Sequence, residues 1–442
     1  MVLMPFTAHP FDVDVWHQII LSITANPLSV AYFPPMLFYT FIPVAFAYNL
    51  VSNILGTSPI ALSSLPGELN PDPRYGIHNI TDPSFNMLVK VPFLVSDIVA
   101  TILIFKLVDR LSEDKRKASW AAALWFLNPY LILISAVWGM FDSLPTLFSI
   151  ASIWFLTQRR LDLSALSLAV AAVYKLYPMV FLMPTILFIR KFEPSSPRRT
   201  VLRYLAIFTA FLLILLLPAI SKSLSFSQGL LGGPSDPGAG GFGLTFWSVL
   251  LMTPLDPSYV VVTSNLIVIV FLAVTYLQAA RSKFNGGLLS LAAFQLCSIF
   301  SIFAGFRFVC EQFFVWALPY MVILGVVGKV KIKDYWVLSM IALAYSLIHG
   351  INAVFFFLPT WPWLGGILLS AVRLIRRPVA PGSGQGYEVV SQPHVSPITL
   401  TLTILGTAFT LLVIANWRRL IRDSTHSVGE GSESQRPGFL RP

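Results

Sequence analysis

The strongest constraint on this chain is a series of uncharged apolar runs, some as long as that from Ala118 to Phe141. An α-helix needs about 20 apolar residues to cross a bilayer, and in lipid only helices and closed barrels satisfy every backbone polar group. The runs have helical length, so the sequence predicts an all-α polytopic membrane protein. Charged residues make up 11% of the chain, against about 25% in a soluble domain, which excludes a soluble globular enzyme. The formal charge of +10 is a topology signal here, not a nucleic-acid footprint, because basic residues of membrane proteins gather in cytoplasmic connections.

The hydropathy pattern places about eleven spanning helices near 88–108, 118–137, 143–157, 161–177, 178–190, 202–220, 258–280, 286–304, 313–330, 335–357 and 396–417. The connections 109–117, 157–160, 190–199, 280–284 and 328–334 and the tail from Trp417 are basic, and the opposite ones are mostly not. The positive-inside rule makes the basic side cytoplasmic. Four regions result: an external first segment 1–87, a membrane core 88–357, an external or re-entrant segment 358–395, and a last spanning helix with a basic tail, 396–442. Arg373, Arg376 and Arg377 violate the charge rule if the third region remains external; a short extra crossing is one reading, and a re-entrant or interfacial amphipathic helix is the milder one. Pro34 to Leu55 is expected as an external juxtamembrane helix lying in the interface. A true crossing is the alternative, and it would move Asp12 and Asp14 to the cytoplasmic side. The opening MVLMPFTAHPFDVDVW has neither a basic n-region nor an apolar core, so a helix preceding it is expected to be missing.

The external face then holds the polar residues of interest. Asp12 and Asp14 form a D-x-D pair, suited to binding a divalent cation or to supplying a base and an orienting carboxylate; two solvated loop acids are the plain alternative. Asp142 follows Gly139 between two apolar helices, as a functional buried acid or as a helix N-cap. Lys175 and Arg307 are isolated cations in apolar surroundings, where an anionic group gains most from them; an internal i, i+4 pair of Arg307 with Glu311 is the alternative. Lys90 and Asp97, seven residues apart on one helix face, are assigned to packing. Residues 229–247 are Gly-rich without a P-loop lysine and suit a flap or a linker. Asn79-Ile80-Thr81 is a glycosylation sequon. Cys297 and Cys310 have no metal-ligand spacing and are read as packing residues.

The ordered series D-V-D (12–14), F-P-P (33–35), S-D (96–97), N-P (128–129), G-M-F-D-S (139–143), Y-K-L-Y-P (174–178) and E-Q-F-F-V-W-A-L-P (311–319) resembles the GT-C superfamily of integral-membrane glycosyltransferases. Within it, the series is most similar to the dolichyl-phosphate-mannose-dependent mannosyltransferases, such as the first GPI mannosyltransferase and its prokaryotic relatives, over residues 9–320. The resemblance implies a GT-C-like fold and transfer of a sugar, mannose by analogy, from a polyprenyl-phosphate donor to a glycolipid or glycan hydroxyl at the extracytoplasmic face, with inversion. It makes Asp12 and Asp14 the catalytic acids and Lys175 and Arg307 the donor-phosphate ligands, with Asp142, Tyr177, Glu311 and Gln312 contacting substrate. No cofactor is required; a divalent cation, if used, would sit at Asp12 and Asp14. Membrane lipids are partners and nucleic acid is not. The location is the plasma membrane of a prokaryote or the endoplasmic reticulum of a eukaryote. The alternatives are a lipid or solute transporter and a noncatalytic GT-C-like subunit.

Overall fold

The structure, a computed structural model, describes residues 2–25, 35–55, 62–64, 78–192, 196–220, 243–250, 256–349 (without 283, 285, 286 and 308), 352–360, 367, 370 and 397–426. The expected flap at 229–242 and the Arg373 to Arg377 cluster lie outside the described residues.

The protein is an all-helical multi-pass membrane protein with one small antiparallel ribbon, β1 (Leu62–Ser64) against β2 (His78–Ile80). Helices α1 (Pro10–Ala25) and α2 (Pro35–Leu55) precede it. After it, α3 (Pro83–Ser112) and α4 (Lys115–Phe126) form an antiparallel pair. Each starts where an aspartate caps it: Asp82 accepts from the backbone of Ser84 at 2.8 Å and Phe85 at 3.3 Å, and Asp114 accepts from Arg116 and Lys117.

The expected single helix over 118–137 is broken. Asn128 caps a new helix, α5 (Pro129–Ile132), by accepting from Tyr130 and Leu131, and Pro129 occupies its first position, where it has no N–H to lose. The Asn128 amide also donates to Tyr335 at 2.6 Å and to Ser339 at 3.1 Å, locking the break against a distant helix. The two pieces meet at 41°. Leu133–Trp138 continues as a π-helix, which ends at Gly139 with φ +88°. A Cβ at Gly139 would lie 3.2 Å from Lys90 Cε, so both backbone sign and space call for glycine.

Helices α6 (Ser143–Thr157), α7 (Leu161–Tyr174), α8 (Leu182–Phe192) and α9 (Pro197–Ile220) follow. The expected helix at 178–190 begins as a 3-10 turn, Tyr177–Phe181. After the short α10 (Trp247–Leu250), α11 (Pro257–Arg281) packs on α12 (Leu288–Gly305), so closely that a Cβ at Gly305 would meet the Val268 backbone at 2.5 Å. A 3-10 turn (Glu311–Trp316) leads into α13 (Leu318–Val326), followed by α14 (Ile332–Ile348), α15 (Asn352–Phe355) and α16 (Pro397–His426).

Among the described residues, six helices (α2, α3, α9, α11, α12 and α16) are long and apolar enough to cross a membrane, or seven spans if the bent α4–α5 pair counts as one. Eleven full-length spans are therefore not present among the described residues. Several apolar segments are cut short by Pro and Gly breaks: α6, α7 and the 311–326 segment are apolar but shorter. The turns gather at two ends. One end joins Asp334 to Arg419 at 2.8 Å and is basic; at the other, Asp142, Lys175 and Trp316 meet. Two side-chain hydrogen bonds tie α2 toward this second end: Thr40 to Tyr174 at 2.6 Å and Tyr48 to Asp82 at 2.8 Å.

Candidate functional site

The second end gathers the residues that the sequence scattered. The α5–α6 turn presents Asp142 at the N-cap of α6, but its carboxylate makes no capping bond. Instead Asp142 Oδ1 accepts from Lys175 Nζ at 2.5 Å and from Trp316 Nε1 at 2.7 Å, and Asp142 is fully buried. Lys175 stands over the rings of Phe313, Phe141 and Trp316, 4.5, 4.7 and 5.3 Å from their centres. The cation reserved for a donor phosphate is thus already neutralised by a carboxylate and faced by three aromatic rings. Tyr177 stacks flat on Trp316 at 4.1 Å and bonds to Thr146 through its hydroxyl.

The D-x-D pair lies in a helix rather than a loop. Two residues along an α-helix turn through about 200°, so the two side chains leave opposite faces. Asp12 Oδ2 accepts from Trp138 Nε1 at 2.6 Å and approaches His9 Nδ1 at 3.3 Å, while Asp14 is buried elsewhere on α1. They form no common metal or base-plus-orienter site, and no group of three metal-ligating side chains occurs among the described residues. The alternative i, i+4 pairing of Arg307 with Glu311 has no helix to carry it, since residues 306, 307, 309 and 310 are not helical. Glu311 pairs instead with His349 at 2.7 Å, and Tyr130 donates to the Glu311 carbonyl. Arg307 is half-buried in the bend before this turn, and Gln312 is half-buried beside Glu311.

Electrostatics tie the two groups together. Burial opposes the charge on Glu311, and His349 outweighs it, so the carboxyl titrates below its ordinary value, with His9 helping. Burial likewise depresses His349, but Glu311 prevails and raises it. Burial pushes the Cys310 thiol well above the thiol range; Glu311 adds to this, Lys175 opposes it, and Asp142 and Asp12 add further. Four charged side chains thus act on one sulfur, which is no nucleophile. Cys297 and Cys310 are both free thiols.

Sequence reasoning missed His9, Trp138, Trp316 and His349; Lys90, expected to serve packing or helix contact, makes a structural contact of that kind. The ammonium of Lys90 is buried and donates to the carbonyls of Met4 at 2.9 Å, Val137 at 3.0 Å and Thr7. It seats the first residues of the chain on α3 and the π-helix. Ala8 N–H bonds to Phe356 O at 2.9 Å and Trp16 Nε1 to Gly139 O at 2.9 Å. A lysine deep in an apolar helix was the available signal; its carbonyl partners leave no trace in sequence.

The fold defines a multi-pass helical membrane protein, and the comparisons show similarity to proteins of GPI anchoring. A family model described as GPI transamidase subunit PIG-U matches residues 29–231, just under half of the chain. The chain is also similar to proteins described as GPI mannosyltransferase 1. It shares 32% identity over 101 residues with that of Candida albicans, 22% of this chain and 25% of the relative. With that of Saccharomyces cerevisiae it shares 30% over 115 residues, 26% and 28% of the two. The chain spans about a quarter of the length of these curated relatives. The expectation of a sugar-transferring enzyme is corrected by the match to the GPI transamidase subunit PIG-U model. The geometry gives the physical reason: the D-x-D carboxylates diverge and Lys175 is spent on Asp142.

Proposed function

We propose that this chain is a noncatalytic, membrane-embedded subunit of a GPI transamidase, built on a GT-C-like scaffold and residing in the endoplasmic reticulum membrane. The observation that carries the reading is the family match over residues 29–231. The internal pairing of the polar cluster supports it, since charges that neutralise one another build a rigid surface but leave little to act on a substrate. In this reading the shorter helices α6, α7 and α13 complete the crossings, and α2 lies along the outer ends of α3 and α7. The Asp12–Trp138 and Glu311–His349 contacts form the outer face on which the other subunits and the GPI lipid are met.

The test is depletion of the chain in cells carrying a GPI-anchored reporter, followed by analysis of accumulated lipids. Loss of a transamidase subunit leaves fully mannosylated GPI and unprocessed reporter proprotein. Accumulation of GPI precursors lacking mannose would overturn the assignment. Affinity purification of the tagged chain in mild detergent is expected to recover transamidase activity.

A further inference from the structure

The basic end of the molecule is uneven. Arg160 in the α6–α7 turn, Arg190 and Lys191 at the end of α8, and Arg198, Arg199 and Arg203 at the start of α9 are all exposed. Asp162 is the one carboxylate among the described residues of these elements, and it pairs with Arg203. That ion pair also fixes the start of α9 against the start of α7. A basic excess is enough to orient a chain, but orientation does not require it to collect on one flank.

Two further features point to what the flank meets. Helix α9 carries arginines at its second and third positions and no acid in its first turn, the reverse of what the helix dipole favours unless an anion is nearby. Below them the helix faces lipid: only 11% of the span Pro197–Leu217 is buried, and Leu202, Leu213, Ile214 and Leu217 are exposed. Leu202 follows Arg199 by three residues and Arg198 by four, so the guanidinium groups sit directly above that lipid-facing stripe. On α8, Met183 is exposed seven residues before Arg190 and on the same face. The charges therefore stand at headgroup level over an acyl surface. A soluble anion would need only the charge, whereas an anionic lipid uses both.

We propose that this rim, formed by the α6–α7 turn, the end of α8 and the start of α9, binds the headgroup of an anionic phospholipid of the adjacent leaflet. The guanidinium groups of Arg190, Arg198 and Arg199 hold the phosphate, while the acyl chains lie along Leu202 and Leu213.

The experiment uses the purified full-length chain in mixed micelles of dodecyl maltoside and phosphatidylcholine, titrated with phosphatidylinositol or phosphatidylserine. Retained lipid is read by native mass spectrometry and stability by thermal unfolding. The wild type is expected to enrich both anionic lipids over phosphatidylcholine and to melt higher in their presence. The triple variant Arg190→Gln/Arg198→Gln/Arg199→Gln loses roughly five-fold per charge, on the order of a hundred-fold in all, while its melting in phosphatidylcholine alone is unchanged. The control Lys115→Gln/Lys117→Gln, at the α3–α4 turn, keeps the enrichment. Equal enrichment in the triple variant overturns the proposal, as does equal loss in the control. Displacement of the lipid by soluble inositol phosphate at matched concentration overturns the lipid source as well.

Discussion

Replacing Lys175 by Met tests whether the Asp142–Lys175 contact is a structural pair. In the wild type, Asp142 Oδ1 holds Lys175 Nζ at 2.5 Å and Trp316 Nε1 at 2.7 Å, with no solvent at the carboxylate and 16% exposure at the lysine. Removing the cation leaves a buried carboxylate with a single neutral donor. Loss of one partner of a buried pair costs about 3–5 kcal/mol. The converse change, Asp142→Asn, retains the Trp316 hydrogen bond, and the partly exposed lysine can turn toward water, so about 1–3 kcal/mol is expected. The double variant removes both charges and should be no worse than Asp142→Asn, giving a coupling of at least about 3–5 kcal/mol, the whole cost of Lys175→Met. Intrinsic-fluorescence melting in detergent measures the three variants, and anchoring of a GPI reporter in cells is followed in parallel. Lys175→Met should melt lowest, and the double variant should recover both melting temperature and anchoring. Additive losses would refute a structural pair. So would a Lys175→Met protein that melts like wild type but supports no anchoring, since Lys175 would then be acting on something outside the chain.

Three further outcomes are expected. Gly139→Ala forces a left-handed residue and presses on Lys90 Cε, costing about 1–2 kcal/mol from backbone strain alone; a melting temperature equal to wild type would contradict that. Lys90→Met leaves the carbonyls of Met4, Thr7 and Val137 without their shared donor, costing about 2–4 kcal/mol net. It should expose the first residues to protease before the bundle unfolds, and unchanged cleavage would count against it. The Glu311–His349 contact is pH-dependent in a set direction. His349 titrates above its ordinary 6.5, so its contribution is complete below that value and is lost as pH rises through its folded pKa; that of Glu311, depressed below 4.5, is lost only in acid. Wild type should therefore lose more stability than His349→Gln between neutral and alkaline pH, and parallel pH profiles would refute the pairing.

Much of the architecture was legible from apolar runs. The helix expected at 143–157 coincides with Ser143–Thr157, and that expected at 286–304 is Leu288–Gly305 within two residues. Gathering of 139–142, 174–178 and 305–312 at one end followed from alternating crossings. What could not be read was which charge meets which. Lys175 and Asp142 are 33 residues apart, and nothing local marks them as partners, so each was treated as isolated and available. The D-x-D pair misled because HPFDVDVW was taken for a loop, although Pro10 opens a helix there. In a loop the two carboxylates can converge; on a helix they cannot. Asn128-Pro129 was visible as an interruption, but the π-turn after it was not, since backbone register leaves no pattern of its own.

The seating of the chain's first residues carries a consequence for biogenesis. Their anchors come from chain made later: Lys90, then Trp138, whose carbonyl receives the His9 N–H, and last Phe356, whose carbonyl receives the Ala8 N–H. At about 5–20 residues per second, synthesis from residue 8 to residue 356 takes roughly 20–70 s. Throughout that interval the residues leading into α1 lack their contact with Phe356, so the outer face closes only after residue 356 has been made, when α16 alone of the described α-helices is still to come. A membrane chaperone acting on this protein would find its client there, and the closed face would mark a finished subunit.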